Sequence, residues 1–531
     1  MTSATSLPTG TPVLGAGDWF SPETQELLGA RCPACAAESF PASAFCWRCS
    51  TPAVRVALPR TGTVLARSRV RIGPAGFPSS YEVGVVELSP ELRIMVRFDE
   101  SSPERGATAT VGIDRIREDG GSPVLGPVFT AGGALISAPA SRPAALPPRL
   151  RRADPLGMSL AGVATTPFGR PDLPAEELAA QAALAAVADA GLANSDIDAV
   201  VVGSAFSTAA LGQRMLRHVP WGGARLLNVE NACASGTTAL AEAVALVRAG
   251  MADAVVAVGA DTPVRSGGGL IPLDLTSPVA GVGVTLPALY ALVADLHRVR
   301  YGTSSDALAE VVVRSRAAAA ANQDACQRDP VTRADVLASR AIADPVTLFQ
   351  CTPNADGAAA VVVVADHLRA RNPHPQVELS SLVLRSGMTK DRFSSEGIVH
   401  RAAQDAYAQA QVAPRDVAVV ELHDAFAPAA LVYLEELGLV EHGTAADCLL
   451  AGGFRGDSHA ALNVGGGLLS RGHPPGATGL AQVTELVRQL RGEAGQRQVG
   501  DPEVALVHTM GGTILELEAN ACTVGVLKRV R

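Results

Sequence analysis

Four stretches between residues 61 and 116, TGTVLARSRVRI, YEVGVVELSP, ELRIMVRFDE and GATATVGIDRI, alternate apolar and polar positions or run through β-branched residues, with Gly, Pro and Ser between them. A period of two puts the apolar side chains on one face of a strand. These stretches predict a small barrel of about five strands over residues 59–136, in the manner of an OB-fold. Further along, the pattern changes. ADAVVAVGAD, AAAVVVVAD, DVAVVEL and EVALVHTM are continuous apolar runs separated by alanine-rich segments of helical spacing. Runs of that kind suit strands covered on both faces by helices, so the remainder predicts a layered α/β domain. The Pro-, Ala- and Arg-rich SAPASRPAALPPRLRRADP between the two patterns reads as a linker over 137–156.

The α/β part repeats itself. AALAAVADAGLANSDIDAVVVGSAFS (182–207) lies over AAQDAYAQAQVAPRDVAVVELHDAFA (402–427) without a gap, and GTTALAEAVALVRAG (236–250) over GATGLAQVTELVRQL (476–490). Two copies of one unit account for this, one over 157–374 and one over 375–531. Equivalent loops of the two copies then carry Cys233 and His473.

Composition narrows the function. The chain has 531 residues, 47% of them hydrophobic, enough for two or three domains with sizeable cores. With 44 Lys and Arg against 52 Asp and Glu, the formal charge is −8. No global positive field recruits nucleic acid or an anionic membrane. There is no apolar run of about 20 residues and MTSATSLPTG lacks the marks of a signal peptide, so a cytoplasmic location is expected.

Four of the nine cysteines lie in RCPACAAESFPASAFCWRCS as C-x2-C-x10-C-x2-C: Cys32, Cys35, Cys46 and Cys49. Two such knuckles complete a closed tetrahedral thiolate site, so a structural zinc is expected in the segment 1–58, with iron as the competing metal. Arg31 and Arg48 are the cations among them, too few for a nucleic-acid stripe.

Cys233 stands in NVENACASGTTALAEAVALVRAG, where an apolar run turns into a helical pattern. The positive end of a helix favours thiolate, which predicts a lowered pKa, and Ala234, Ser235 and Gly236 leave room for a bulky thioester. His473 lies between Gly472 and two prolines, which hold the backbone in a stiff turn. His423 follows DVAVVEL at a strand end, where α/β folds place ligand groups. Asp424 beside it reads as a loop-orienting residue.

At these residues the chain resembles the thiolase superfamily. NACASGTTAL is similar to the thiolase nucleophile loop, SRGHPPGATG to its Gly-His-Pro loop, CTPNADGAAAVVV to the segment closing its first half, and ELHDAFAP to the His-Asp-Cys-Phe loop of the sterol-carrier-protein type. The amino-terminal part resembles the zinc-ribbon plus OB-fold proteins that accompany such subunits, here fused to the same chain. The resemblance implies a five-layered α-β-α-β-α fold, a homodimer, and acyl-CoA or acyl-carrier-protein thioesters as substrates. It implies Cys233 as nucleophile, His473 as its base, His423 as a donor to the substrate carbonyl, and the backbone of Gly511 and Gly512 with the Cys233 amide as an oxyanion hole. Where the family has a second cysteine, this chain has Ala425 in one loop and HTMGG (508–512) in the other, while Cys522 reads as buried packing. Three functions follow: acyl transfer to a specialised acceptor or thiolysis of a specialised ketoacyl thioester; retro-aldol cleavage of a β-hydroxyacyl-CoA; or a scaffold that holds CoA esters. Aldolases of this kind tend to carry Tyr where the chain has His423, which favours the first. The stretch 270–302, with an apolar helix ending in HRVRYG, is expected either to cover the acyl chain or to pack in a dimer.

Overall fold

The computed structural model describes residues 12–90, 92–101, 103–132, 156–207, 209–270, 275, 277–387, 397–456, 460–512 and 521–530. The expected linker lies outside these residues apart from Leu156.

Among the described residues ten strands make one mixed sheet: β1 (Met158–Thr165), β2 (Ala199–Gly203), β3 (Arg225–Val229), β4 (Ala254–Asp261), β5 (Gly357–Val364), β6 (Val377–Arg385), β7 (Val419–Glu421), β8 (Ala461–Leu462), β9 (Val504–Gly511) and β10 (Ala521–Arg529). Their order, β3-β2-β4-β5-β1-β6-β10-β9-β7-β8, is that of two five-stranded halves read outwards from a seam. In each half three parallel strands are followed by two antiparallel ones, and the halves meet through two residue pairs, Met158–Leu379 and Ser159–Glu378. The internal repeat is thus a repeat of topology.

Helix α1 (Ala175–Asp189) covers the outer face of the first half and α3 (Ile398–Ala410) that of the second, while α2 (Ser235–Arg248) and α4 (Pro475–Arg491) pack on each other between the halves. This is the five-layered α-β-α-β-α arrangement. Every residue of β2, β4 and β5 is buried, which explains why they read as unbroken apolar runs. All of α4 except Arg488 is buried too. The central layer is tight where α4 begins: a Cβ built on Gly259 of β4 would fall 1.9 Å from the Gly476 carbonyl oxygen, so β4 needs glycine there.

The amino-terminal part folds as two small β units. The strands Phe20–Ser21, Glu26–Arg31, Glu38–Ser39 and Val54–Ala57 form a four-stranded sheet around the cysteine knuckles. Next come Thr61–Val70, Tyr81–Ser89, Leu92–Arg97, Thr108–Asp119 and Ser122–Ala131, ordered third-second-first-fourth-fifth, with a parallel bridge from Phe98 to Phe129 joining third to fifth. The fifth strand has no counterpart among the alternating stretches of the sequence because Pro123 and Pro127 interrupt its pattern.

The apolar helix of the stretch 270–302 finds a partner within the chain itself. It seats the barrel. This helix, Leu286–Tyr301, packs on the first barrel strand, and Leu289 and Leu292 share one apolar core with Val64, Val83 and Phe98. Tyr81 donates to the Gly283 carbonyl at 2.7 Å, and Arg105 meets Asp295 at 2.6 Å. Two short strands, Ala341–Ala343 and Val346–Thr347, extend the barrel sheet through Ala343 and Val70. The barrel and the α/β body therefore share buried surface, and their attachment rests on hydrophobic burial with polar contacts at its edge.

Candidate active site

The chain leaves β3 and turns at Asn231 and Ala232 into a short 3-10 segment, Ala232–Ala234, that runs directly into α2. Ala232 takes the left-handed conformation, with φ of 47°, which is strained for a residue with a Cβ. Ser235 stabilises the turn: its hydroxyl accepts from the Asn231 amide at 2.9 Å and donates to the Ala232 carbonyl at 2.6 Å. Cys233 sits at the apex.

His473 reaches it from the other half, between Gly472 and the prolines that open α4. Its Nε2 lies 3.2 Å from Cys233 Sγ. Its Nδ1 lies 2.7 Å from Thr478 Oγ1, and Thr478 donates its hydroxyl proton to the Pro474 carbonyl at 2.9 Å. A hydroxyl has one proton, so Thr478 accepts from His473 Nδ1–H, and Nε2 presents its lone pair to the thiol. That tautomer suits a base for Cys233.

The His423 ring stands edge-on to the His473 ring, centroids 5.1 Å apart. Cys233, His423 and His473 each offer a ligand or proton-bearing atom, all within 4.8 Å of one another, and no second thiol joins this cluster among the described residues. Gly511 completes it from β9. A Cβ there would lie 2.9 Å from the Cys233 nitrogen and 2.5 Å from that of Ala234, so backbone lies against backbone. Cys522, on β10 beside Met510, is fully buried in an apolar cluster, as its setting in the sequence implies.

Burial governs the electrostatics. It pushes the Cys233 thiol up to about 12, with the Asp261 and Glu230 charges adding to the effect and the residue's own amide opposing it. The lowered pKa expected from the helix terminus is therefore not what the site holds. Cys233 keeps some exposure as a residue, but enclosure of the thiol is the largest cause of the shift. Burial, with the Arg471 guanidinium nearby, pushes His473 down to about 3, and burial does the same for His508. His423 is lowered well below the usual histidine range by burial and by its two histidine neighbours. The resting pair is a neutral thiol facing a neutral imidazole.

Of three supporting residues, Asp261 and His508 carry no signal of their own in the sequence, while Asp424 stands beside His423. Asp261, the last residue of β4, accepts from Ser204, Ala205, Phe206 and, at 2.6 Å, the Gly476 amide, tying the start of α4 to the first half. His508 accepts from the His423 amide at 3.4 Å and meets the Tyr433 ring edge-on. Asp424 accepts from the Leu468 amide at 2.7 Å and so orients its loop. Its carboxyl is pushed up to about 6 by burial.

Away from this centre, Cys32, Cys35, Cys46 and Cys49 form a second cluster within 4.8 Å, all as free thiols. Cys32 and Cys49 sulfurs are 3.5 Å apart, as are those of Cys35 and Cys46. The edge of a tetrahedron with zinc–sulfur bonds of 2.3 Å is about 3.8 Å, so the four sulfurs are arranged to take one metal ion with little movement.

A model of the thiolase N-terminal domain matches residues 159–367, and one described as thiolase C-terminal domain-like matches 385–520. The chain belongs to the thiolase family. It is 35% identical over 378 residues to an acetyl-CoA acetyltransferase of Methanothermobacter thermautotrophicus, covering 67% of this thiolase and 96% of that one. Similar matches are sterol carrier protein 2 of Gallus gallus, 32% identical with 66% and 69% covered, and the benzoylsuccinyl-CoA thiolase subunit BbsB of Thauera aromatica, 32% identical with 66% and 94% covered. Among solved structures, the Ltp2-ChsH2(DUF35) aldolase superposes with a TM-score of 0.62 at 28% identity, over 71% of this thiolase and 99% of that chain. Human mitochondrial 3-ketoacyl-CoA thiolase, at 16% identity and a TM-score of 0.55, shares the fold. The chain is accordingly an enzyme of the acyltransferase class. No helix among its described residues is long and apolar enough to cross a membrane.

Proposed function

We infer that this thiolase forms an acyl-enzyme on Cys233 and passes the acyl group to a specialised carbon, nitrogen or oxygen acceptor, or releases it to CoA in thiolysis of a specialised β-ketoacyl thioester. The observation that carries this is the orientation of His473, with Nδ1–H held by Thr478 and Nε2 facing the thiol at 3.2 Å. Because thiol and imidazole are both neutral at rest, proton transfer and attack are coupled. The Sγ–H proton passes to Nε2 as the sulfur bonds to the carbonyl carbon. The carbonyl pair moves to oxygen, next to the Cys233 amide and the Gly511–Gly512 turn, with His423 as a further donor. Collapse breaks either the carbon–sulfur bond to CoA or the carbon–carbon bond of a ketoacyl group, and His473 returns its proton to the leaving atom. A methyl group at Ala425 handles no proton. Acceptors that are already nucleophilic suit such a site best. The relative named for benzoylsuccinyl-CoA supports a substituted acyl group.

The solved aldolase, at 28% identity, supports a second reading, retro-aldol cleavage of a β-hydroxyacyl-CoA, in which Cys233 carries no acyl group. Isotope exchange separates the two. An enzyme acylated by acetyl-CoA exchanges labelled CoA into acetyl-CoA with no acceptor present. An aldolase or a CoA-binding scaffold does not. The four amino-terminal cysteines would hold a zinc ion that closes their small module on itself, apart from the chemistry at Cys233. A homodimer through the α/β body, and CoA or a carrier protein as the donor, complete this reading.

A further inference from the structure

Side chains from three separate loops converge at Cys233. Its Sγ, one ring nitrogen of His473 and one of His423 all lie within 4.8 Å of one another. Thr478 accepts from His473 Nδ1–H, so the Nε2 that lies 3.2 Å from the thiol carries its lone pair. An imidazole fixed through its other nitrogen in this way is the usual state of a metal ligand. The Nδ1 of His423 is buried without a hydrogen-bond partner, so no neighbour claims the ring through that atom. No carboxylate joins the cluster among the described residues. The oxygens of Asp261 are occupied by Ser204 and by the amides of Ala205, Phe206 and Gly476.

We propose that Cys233, His473 and His423 form a reversible zinc site, and that zinc bound there silences acylation. The silencing rests on the acyl-enzyme reading above; the site itself does not. Two nitrogens and one sulfur are the donor set of a borderline-soft cation, while oxygen-seeking magnesium and calcium find no ligand. With bonds of about 2.3 Å to sulfur and about 2.05 Å to nitrogen, the sulfur–nitrogen edge of a tetrahedron is about 3.6 Å, so the 3.2 Å contact opens by about 0.4 Å. The His423 ring closes the remainder, since no separation exceeds 4.8 Å. Water takes the fourth position, as in open zinc sites. On binding, the Sγ proton leaves to solvent, one zinc–sulfur and two zinc–nitrogen bonds form, and no electron is transferred. The thiolate and the His473 lone pair are then both occupied, so neither attack nor proton transfer begins. Four thiolates close the set Cys32, Cys35, Cys46 and Cys49, whereas the open position at Cys233 lets its ion exchange.

The test is equilibrium dialysis of the full-length protein against zinc, with metal analysis, on wild type and Cys233→Ala, whose difference cancels the amino-terminal knuckles. Wild type should hold about one more zinc per chain, and His423→Gln should bind that zinc about tenfold more weakly or worse, with thermal melts reporting whether each variant is folded. Zinc should also shield Cys233 of the wild-type protein from iodoacetamide, read on its peptide by mass spectrometry, which serves where a variant does not fold. Acetylation by acetyl-CoA should fall about tenfold or more with zinc and return on brief chelation. Equal zinc in wild type and Cys233→Ala, an unchanged affinity in His423→Gln, or alkylation of Cys233 indifferent to zinc overturns the site. Full acetylation with the extra zinc bound overturns the silencing. Absence of acetylation in wild-type protein free of the extra zinc refutes instead the reading of Cys233 as acyl carrier, and the dialysis result stands apart from it.

Discussion

Replacing His473 by alanine isolates a thiol that burial holds near 12. In the wild-type protein the imidazole stays neutral down to about 3 and the thiol stays protonated up to about 12, so the competent pair is present throughout the neutral range. Single-turnover acetylation should then be flat from about pH 6 to 9. In His473→Ala the remaining nucleophile is the free thiolate. A thiol near 12 is ionised to about one part in 10⁵ at pH 7, a fraction that grows tenfold with each pH unit. Loss of a base removes roughly two to four orders of magnitude. The small thiolate fraction places this case at the upper end, near 10⁴ at pH 7, with water entering the vacated space offsetting part of the rest. The deficit should narrow about tenfold per unit towards pH 9. Rapid-quench mass spectrometry of the acetylated protein at four pH values measures both profiles. A pH-independent variant, or a wild-type rate that rises with an inflection near pH 7, would refute the neutral-pair account.

Three further outcomes follow from the same geometry. Gly511→Ala places a Cβ 2.4 Å from the Asn231 carbonyl oxygen and 2.5 Å from the Ala234 nitrogen, so kcat should fall by about 10² to 10³, as for loss of an oxyanion donor, with an unchanged kcat refuting the close approach. His508 is held down to about 3, so its stabilising contribution is complete above the unfolded value near 6.5 and is lost as pH falls towards 3. The stability of wild type relative to His508→Gln should therefore shrink by at most about 1.4 kcal/mol per pH unit on acidification, as read from urea titrations at pH 7 and 5, whereas parallel curves would contradict a neutral buried His508. Metal analysis should find close to one zinc per chain, and chelation should unfold the knuckles while the α/β body keeps its melting transition; metal-free protein with an intact amino-terminal sheet would refute the zinc site.

The α/β body was legible because burial on both faces of β2, β4 and β5 leaves no polar alternation, and because the duplication repeats even the loops that carry Cys233 and His473. The knuckles were legible from their spacing. What the chain did not display arises from contacts between distant residues. The thiol pKa follows from burial first, and from Asp261 and Glu230. The tautomer of His473 depends on the single proton of Thr478, an unremarkable threonine in the first turn of α4. The apolar face of Leu286–Tyr301 could have met any partner, and only the fold brings the barrel to it. Pro123 and Pro127 hide the strand whose Phe129 meets Phe98.

The central claim is that Cys233 carries the acyl group during turnover. Incubation with acetyl-CoA, acid quench, proteolysis and mass spectrometry of the peptide containing Cys233 tests it most directly. One acetyl group is expected on Cys233, removed by added CoA and absent from Cys233→Ala. Acetyl-CoA turnover with that peptide unmodified, or full activity in Cys233→Ala, would contradict it.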